Sequence, residues 1–85
     1  MKNVVIYTGQ RCSHCDWAKE LLTKKKVLFT EHNISKDFSK MEEMLKKSNG
    51  MRTVPQIFVG SHHVGGNEEL QALEREGKLD SLLGI

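Results

Sequence analysis

The chain has 85 residues, a length that favours one compact domain over residues 1–85 and leaves little room for a second. Its formal net charge of +2 is too small to indicate a nucleic-acid-binding surface, and no apolar stretch reaches the roughly 20 residues that a membrane-spanning helix needs. The sequence starts in a strand-like segment without a signal-peptide pattern, so we expect a cytoplasmic protein without membrane or nucleic-acid partners.

The first part of the chain predicts a strand, a helix and a second strand. A continuous apolar run at residues 3–7 indicates a strand buried on both faces. Apolar residues at helical spacing indicate a helix from Ser13 to about Lys25, and alternating residues predict a strand over 27–33. Because strand–helix–strand crossovers are right-handed, the two strands should be parallel neighbours in one sheet.

A second helix is predicted in the middle of the chain. Its apolar positions recur at spacings of three and four residues, at Phe38, Met41, Met44 and Leu45. Ser35 or Ser39 is the expected N-cap, because a serine hydroxyl can accept a hydrogen bond from an N–H group that the first turn leaves free. The pair Asn49 and Gly50 should end the helix.

The last third of the chain predicts a hairpin followed by a helix. Residues 56–59 and 62–64 are expected to be short strands joined at Gly60 and Ser61, with His62 and His63 exposed. Asn67 is the expected N-cap of a third helix that reaches Glu76, and residues 78–83 add a short final turn. The order β-α-β-α-β-β-α predicts an α/β protein with a thioredoxin-like fold, a central four-stranded mixed sheet flanked by helices.

Cys12 and Cys15 lie where the first strand gives way to the first helix. The start of a helix presents unpaired N–H groups and a partial positive charge, and both favour a thiolate at Cys12. A cysteine of pKa ~8.5 is only about 3% thiolate at pH 7, so lowering its pKa by about two or three units raises the reactive fraction roughly thirtyfold. Cys15, one turn later, is the expected resolving thiol, while Arg11 adds a cation and His14 a donor or partial charge near the sulfur.

A Cys-x-x-Cys motif is also half of a zinc site. Zinc needs two further ligands, and the candidates His14, His32, His62 and His63 stand at no familiar spacing from the cysteines. A strand before the motif and a helix after it favour redox chemistry instead. We therefore expect no metal site.

Two further segments carry candidate binding residues. The segment Thr53, Val54, Pro55 is either a simple strand start or, with a cis Val54–Pro55 bond, a place where the Val54 backbone pairs with an extended peptide. The segment at residues 65–68, which contains Gly66, Asn67 and Glu68, is either a turn with a helix cap or a seat for a ligand carboxylate.

These three motifs, in this order, resemble a glutaredoxin along essentially the whole chain, with Thr-Val-Pro-Gln at 53–56 and Gly-Gly-x-x-x-Leu at 65–70. The resemblance implies that Cys12 takes glutathione from a mixed disulfide and that Cys15 resolves protein disulfides. Glutathione would restore the dithiol, with glutathione reductase and NADPH upstream. It implies a monomer that uses glutathione as co-substrate, acts on disulfide-containing or glutathionylated proteins and holds no tightly bound cofactor.

The resemblance also implies where glutathione binds. The cysteinyl backbone is expected against Val54 next to Pro55, with Thr53 beside it. The γ-glutamyl carboxylate is expected near Gly66, Asn67 and Glu68. His14 is also expected to be a glutathione-binding residue.

Two features depart from the family pattern. Ser13 and His14 stand where the motif usually has Pro-Tyr, so the thiol pKa and redox potential do not transfer. Gly9 stands where the family tends to have a lysine three residues before the nucleophile. Arg11 or Arg52 is therefore expected to supply the charge for the glycyl carboxylate.

Two alternatives remain at this point. Relatives without the motif proline can hold a [2Fe-2S] cluster between two protomers, using the nucleophilic cysteine and glutathione, and Ser13 replaces that proline here. The second alternative is a redoxin that thioredoxin reductase reduces in place of glutathione.

Overall fold

One mixed sheet organises residues 2–85, the part of the chain that the structure, a computed structural model, describes. The elements in chain order are β1 (Val4–Thr8), α1 (Ser13–Lys24), β2 (Thr30–Asn33), α2 (Phe38–Lys47), β3 (Gln56–Val59), β4 (His62–Gly65), α3 (Asn67–Arg75) and α4 (Leu79–Leu83). The sheet order is β2-β1-β3-β4, with β1 parallel to β2 and antiparallel to β3, and β4 antiparallel to β3. The expected thioredoxin-like arrangement is confirmed.

This topology brings several chain segments to one edge of the sheet. Because β1 and β4 both run antiparallel to β3, their carboxyl ends lie at the edge where β3 begins. The helices α1 and α3, which follow β1 and β4, start at that edge and pack against each other. Within residues 2–85 no helix is both long and apolar enough to cross a membrane.

Alternation along the strands divides the core between the two faces of the sheet. Ile6 and Ile57 belong to the larger cluster, which includes Ala18 and Leu22 of α1 and Leu70 of α3. Tyr7 and Phe58, the next residues along the same strands, form a second cluster with Met44 of α2. Since successive side chains of a strand point to opposite faces, α1 and α3 cover one face and α2 covers the other.

The predicted start of β2 at residue 27 is wrong. Lys26 has a φ of 59°, and the Val27 N–H donates to the Leu22 carbonyl at 3.0 Å, so this segment closes the end of α1. Val27 is buried in the main core while Leu28 is 82% exposed. Val27 is thus buried at the end of α1, and pairing of β2 with β1 begins at Thr30.

The predicted N-cap of α2 is also wrong, because Asp37 caps the helix by accepting a hydrogen bond from the Ser39 N–H at 3.1 Å. The Ser39 hydroxyl donates to the same carboxylate and lowers the pKa of Asp37. Phe38, expected on the apolar face, is 70% exposed at the first residue of the helix. The predicted end is confirmed, since Asn49 and Gly50 both adopt positive φ and the Gly50 N–H donates to Leu45.

The hairpin shows one further difference from expectation. His62 is exposed as predicted, but the His63 ring stacks on Phe58 with 4.6 Å between ring centroids. Its Nε2 lies 2.6 Å from Gln56 Oε1. The strand register places Phe58 opposite His63, and this pairing gives the imidazole a partly buried position.

A polar cluster covers the second core under α2. The buried Tyr7 hydroxyl donates a hydrogen bond to Glu43, and Lys47 Nζ lies 4.5 Å from the centroid of the Phe58 ring. Burial, followed by the interaction with Glu43, raises the pKa of Tyr7 well above its usual value. The Tyr7 hydrogen bond, followed by the nearby charge of Lys40, lowers the pKa of Glu43 below its ordinary 4.5.

We expect Tyr7→Phe to remove an acid-sensitive part of the folding stability. Because the pKa of Glu43 is lower in the folded protein than its ordinary 4.5, the contribution is present above that value and is lost as pH falls through the folded pKa. The free energy of unfolding should therefore fall more steeply with acid in the wild type than in the variant. Urea unfolding at several values between about pH 3 and 7 measures this difference.

Glu42→Gln is the matched control, because Glu42 is an exposed neighbour in the same helix. We expect its acid dependence to parallel that of the wild type. A Tyr7→Phe curve that also runs parallel would show that the hydrogen bond to Glu43 contributes nothing to acid sensitivity.

Candidate active site

Cys12 and Cys15 form a disulfide at the start of α1, with their Cα atoms 5.2 Å apart. Cys12 is the N-cap residue with extended backbone, and its Sγ accepts a hydrogen bond from the Cys15 N–H at 3.1 Å. Cys12 is partly buried, whereas Cys15 is 1% exposed. The predicted place of Cys12 at the helix N-terminus is confirmed, and Cys12 carries the more accessible sulfur of the pair.

The segment before β3 lies against this disulfide. The Val54–Pro55 peptide bond is cis, and the Val54 carbonyl oxygen lies 3.7 Å from Cys12 Sγ. The Gln56 side-chain amide donates to the Thr53 carbonyl at 3.0 Å and to the Thr53 hydroxyl at 3.2 Å. Gln56 thus anchors the segment from the first residue of β3.

The turn between β4 and α3 approaches the same place. Gly65 has a φ of 113°, and a Cβ there would lie 2.9 Å from Glu69 Oε1, so the turn requires glycine. Gly66 is the N-cap of α3, and its N–H donates to Glu69 at 2.7 Å. A Cβ on Gly66 would lie 3.4 Å from the Pro55 carbonyl oxygen, which shows how closely the two motifs meet.

The prediction of Asn67 as N-cap of α3 is therefore wrong. Asn67 is the first helical residue, it is 7% exposed, and its side chain is engaged elsewhere. Asn67 Nδ2 lies 3.3 Å from His14 Nδ1, while the Gln71 amide donates to Asn67 Oδ1 at 3.1 Å. The His14 ring also packs edge-on against Trp17, with 5.1 Å between ring centroids.

A groove of about 380 Å³ connects these segments. Seven of the predicted binding residues line it: His14, Thr53, Val54, Pro55, Gly66, Asn67 and Glu68. Arg11 and Arg52 are exposed and do not belong to its lining. Among residues 2–85 no three His, Cys, Asp or Glu side chains gather in a way that could hold a metal ion.

Known proteins of one family are similar to this chain over most of its length. The glutaredoxin family model matches residues 4–64, well over half of the chain. The chain belongs to the glutaredoxin family. Members of this family are glutathione-dependent thiol–disulfide oxidoreductases, and that is the general chemistry of this glutaredoxin.

Individual relatives agree over nearly the full length. Glutaredoxin 3 of Escherichia coli strain K12 is 49% identical over 83 residues, which cover 98% of this chain and 99% of that protein. The solution structure of a glutaredoxin from Brucella melitensis is 49% identical, with a TM-score of 0.82 and coverage of 98% and 89% of the two chains. A dithiolic glutaredoxin from Trypanosoma brucei brucei is 33% identical, with a TM-score of 0.83 and coverage of 96% and 87%.

The structure adds site residues that the sequence analysis of this glutaredoxin missed. They line the same groove as the predicted set and are Met51, Gln56, Gly65 and Glu69. Glu69 had a sequence signal, because a glutamate three residues after an N-cap commonly reaches back to the N-cap N–H. Gln56 follows Pro55 in the Thr-Val-Pro-Gln motif and Gly65 opens the segment at 65–68, so both also had a signal. Met51 had none, since only the tertiary fold brings it to the groove.

Gly9 marks a local difference from the family pattern in this glutaredoxin. A Cβ at Gly9 would lie 3.2 Å from Val54 Cγ2 and 3.5 Å from the Ser35 hydroxyl. Val54 and Ser35 thus lie next to the space that the Cβ atom of a larger residue would occupy at this position. The loop before Cys12 is fitted closely to the cis-proline segment.

Proposed function

We propose that Cys12 is the nucleophile that reduces glutathione mixed disulfides, and that Cys12 and Cys15 together reduce protein disulfides. The supporting observation is that Cys12 Sγ caps α1 and lies 3.7 Å from the Val54 carbonyl, beside the 380 Å³ groove. When Cys15 is reduced as well, the helix N-terminus stabilises a thiolate at Cys12.

The mixed-disulfide reaction proceeds by two exchanges. The Cys12 thiolate attacks the glutathione sulfur, a Cys12–glutathione disulfide forms, and the protein thiolate leaves and takes up a proton. A second glutathione thiolate then attacks the glutathione sulfur of that disulfide, which releases oxidised glutathione and the Cys12 thiolate. Glutathione reductase and NADPH return oxidised glutathione to the thiol.

In this proposal the parts of glutathione bind along the groove in a definite order. The cysteinyl backbone pairs with the Val54 backbone, next to the Cys12 sulfur. The γ-glutamyl carboxylate lies at the start of α3, where Asn67 and Glu68 provide backbone N–H groups and Gly66 already donates to Glu69. The exposed Glu68 side chain lines the groove and can meet the γ-glutamyl ammonium group.

Protein disulfides follow a different second step. Attack by Cys12 joins it to one protein sulfur, and Cys15 then attacks Cys12, forming the intramolecular disulfide and releasing the reduced protein. The Cys12–Cys15 disulfide, with Cα atoms 5.2 Å apart, has the bond that this step would form. In this proposal the protein works as a cytoplasmic monomer that glutathione returns to the dithiol.

A coupled assay tests the function directly. The wild type is given a small glutathione mixed disulfide with glutathione, glutathione reductase and NADPH, or with thioredoxin reductase and NADPH. We expect turnover with the glutathione system. Activity confined to the thioredoxin reductase system would overturn the proposal and support a redoxin of the other type.

The cluster alternative has its own measurement. Ser13 follows Cys12 in place of the family proline, and this is the feature that favours a [2Fe-2S] cluster held by two protomers with glutathione. Formation of the Cys12–Cys15 disulfide competes with such ligation. We expect no stable visible absorbance bands after anaerobic reconstitution with iron, sulfide and glutathione, and stable bands would support the cluster carrier.

We expect Arg11→Ala combined with Arg52→Ala to raise the KM for the small mixed disulfide by about threefold, with kcat unchanged. Both guanidinium groups are exposed, and charges in water contribute less than about 1 kcal/mol each. The expected effect comes from attraction of the glycyl carboxylate toward the groove, so it should shrink at higher salt.

The control removes the same charge elsewhere, by Lys26→Ala with Lys46→Ala near the carboxyl ends of α1 and α2. Its KM should equal that of the wild type. An unchanged KM in the arginine variant would show that neither arginine replaces the family lysine.

A further inference from the structure

Three side chains form a continuous hydrogen-bonded row from α3 to the redox motif. The Gln71 amide donates to Asn67 Oδ1 at 3.1 Å, and Asn67 Nδ2 lies 3.3 Å from His14 Nδ1. Asn67 is 7% exposed, so each polar end of its amide needs a partner within the protein. The row ends on the residue between Ser13 and Cys15.

In the structure the hydrogen bonds of this row run in one direction, from Gln71 toward His14. An amide side chain has one accepting oxygen and one donating nitrogen. Because Gln71 donates to the oxygen of Asn67, Asn67 presents its NH₂ group to His14. Nδ1 of His14 must therefore accept, and the single proton of the neutral imidazole is placed on Nε2.

We propose that Gln71 is a positioning residue, which acts through Asn67 to hold His14 as the Nε2–H tautomer at the wall of the glutathione groove. The inference deepens the proposed function and rests on it. Gln71 itself lines a separate groove of about 390 Å³ between α1 and α3, together with Trp17. Its influence on the reaction is thus transmitted by Asn67 and His14.

The tautomer decides what His14 offers to a bound glutathione moiety. With Nδ1 occupied by Asn67, Nε2–H is the polar group that the exposed ring retains for carboxylate or carbonyl oxygens in the groove. The opposite tautomer would present a lone pair, which repels those same oxygens. The Trp17 ring packs edge-on against the imidazole, with 5.1 Å between ring centroids.

Gln71→Glu should reverse the direction of both hydrogen bonds. The two side chains have almost the same shape, so the packing at this position changes little. A carboxylate only accepts hydrogen bonds, so Glu in place of Gln71 would take the NH₂ group of Asn67. Asn67 would then turn its oxygen toward His14, and Nδ1 would have to carry the proton. Gln71→Leu removes the anchor altogether and leaves both orientations of Asn67 open.

Nitrogen NMR of the imidazole ring measures the tautomer in the oxidised protein at about pH 8, where an ordinary histidine is neutral. We expect the Nε2–H form for wild type, the Nδ1–H form for Gln71→Glu and a mixture for Gln71→Leu. In the coupled assay, Gln71→Glu should raise the KM for the small glutathione mixed disulfide about fivefold, the effect of one lost hydrogen bond, while kcat changes less. Gln71→Leu should raise it only about twofold, because about half of the molecules keep the Nε2–H form.

Arg75→Gln is the matched control, because it changes the net charge by the same amount one turn further along α3, at an exposed position. Its tautomer and KM should match the wild type. A wild-type Nδ1–H tautomer, an Nε2–H tautomer retained in Gln71→Glu, or a tautomer reversal with unchanged KM would overturn the inference. If the proposed function were wrong, the wild type would show no glutathione-dependent turnover. The NMR measurement of the tautomer does not depend on turnover, so the two failures can be told apart.

Discussion

Cys12→Ser is expected to lower the glutathione-dependent reduction of a small glutathione mixed disulfide by about a thousandfold or more. Cys12 carries the accessible sulfur at the N-terminus of α1, and a serine hydroxyl in the same place is not ionised near neutral pH. No second thiol can replace it, because Cys15 is 1% exposed and points into the protein.

Cys15→Ser makes the same sulfur-to-oxygen change one turn away and is the matched comparison. Its activity on the small mixed disulfide should stay within about tenfold of the wild type, because both exchanges in that reaction occur at Cys12. With a protein disulfide as substrate, the same variant should instead accumulate a mixed disulfide, since the resolving thiol is absent. Mass spectrometry of the quenched reaction detects that species.

The two variants together separate the roles of the sulfurs. Thermal unfolding, measured under reducing conditions, should show that both variants fold like the reduced wild type. Retained activity in folded Cys12→Ser would mean that the nucleophile has been assigned to the wrong residue. Equal losses in both variants on the small substrate would mean that the intramolecular disulfide is an obligatory intermediate.

The strand and helix types were predictable wherever a periodic pattern and its boundary signal agreed. The β1–α1 unit has an apolar run that ends at a glycine, followed by helical spacing, and the structure follows it closely. The predicted start of β2 is wrong because Val27 is buried at the end of α1 and not in a strand. An apolar residue in the sequence indicates burial but does not show which element it belongs to. The cap of α2 was ambiguous because Asp37 and Ser39 have oxygens that accept equally well, and only the backbone conformation selects Asp37.

The site was predictable to the extent that its residues are neighbours in sequence. The position of Cys12 follows from a strand-to-helix junction, which a local pattern reveals. By contrast, the His14–Asn67 contact joins residues 53 positions apart and depends on α1 and α3 starting at the same edge. His63 shows the same limit, because its stacking on Phe58 follows from the register of β3 and β4.

Phe58→Ala is expected to destabilise the protein by about 3–5 kcal/mol, a large part of the total stability of a small domain. Phe58 is 2% exposed in the second core, where Tyr7 packs edge-on at 5.7 Å and His63 stacks at 4.6 Å between ring centroids. Removing the ring leaves a cavity and also leaves Lys47 without the aromatic face 4.5 Å below its ammonium group. Urea unfolding of the reduced protein measures the loss.

Phe38→Ala is the control that separates burial from residue type. Phe38 is 70% exposed at the start of α2, so the same truncation there should change the free energy of unfolding by no more than about 0.5 kcal/mol. Equal losses in the two variants would show that the burial of Phe58 contributes no more to stability than the exposed ring of Phe38. Because α2 reaches the sheet through Met44, Tyr7 and Phe58, a collapse of this cluster should also loosen α2, visible as faster amide exchange there than in α1.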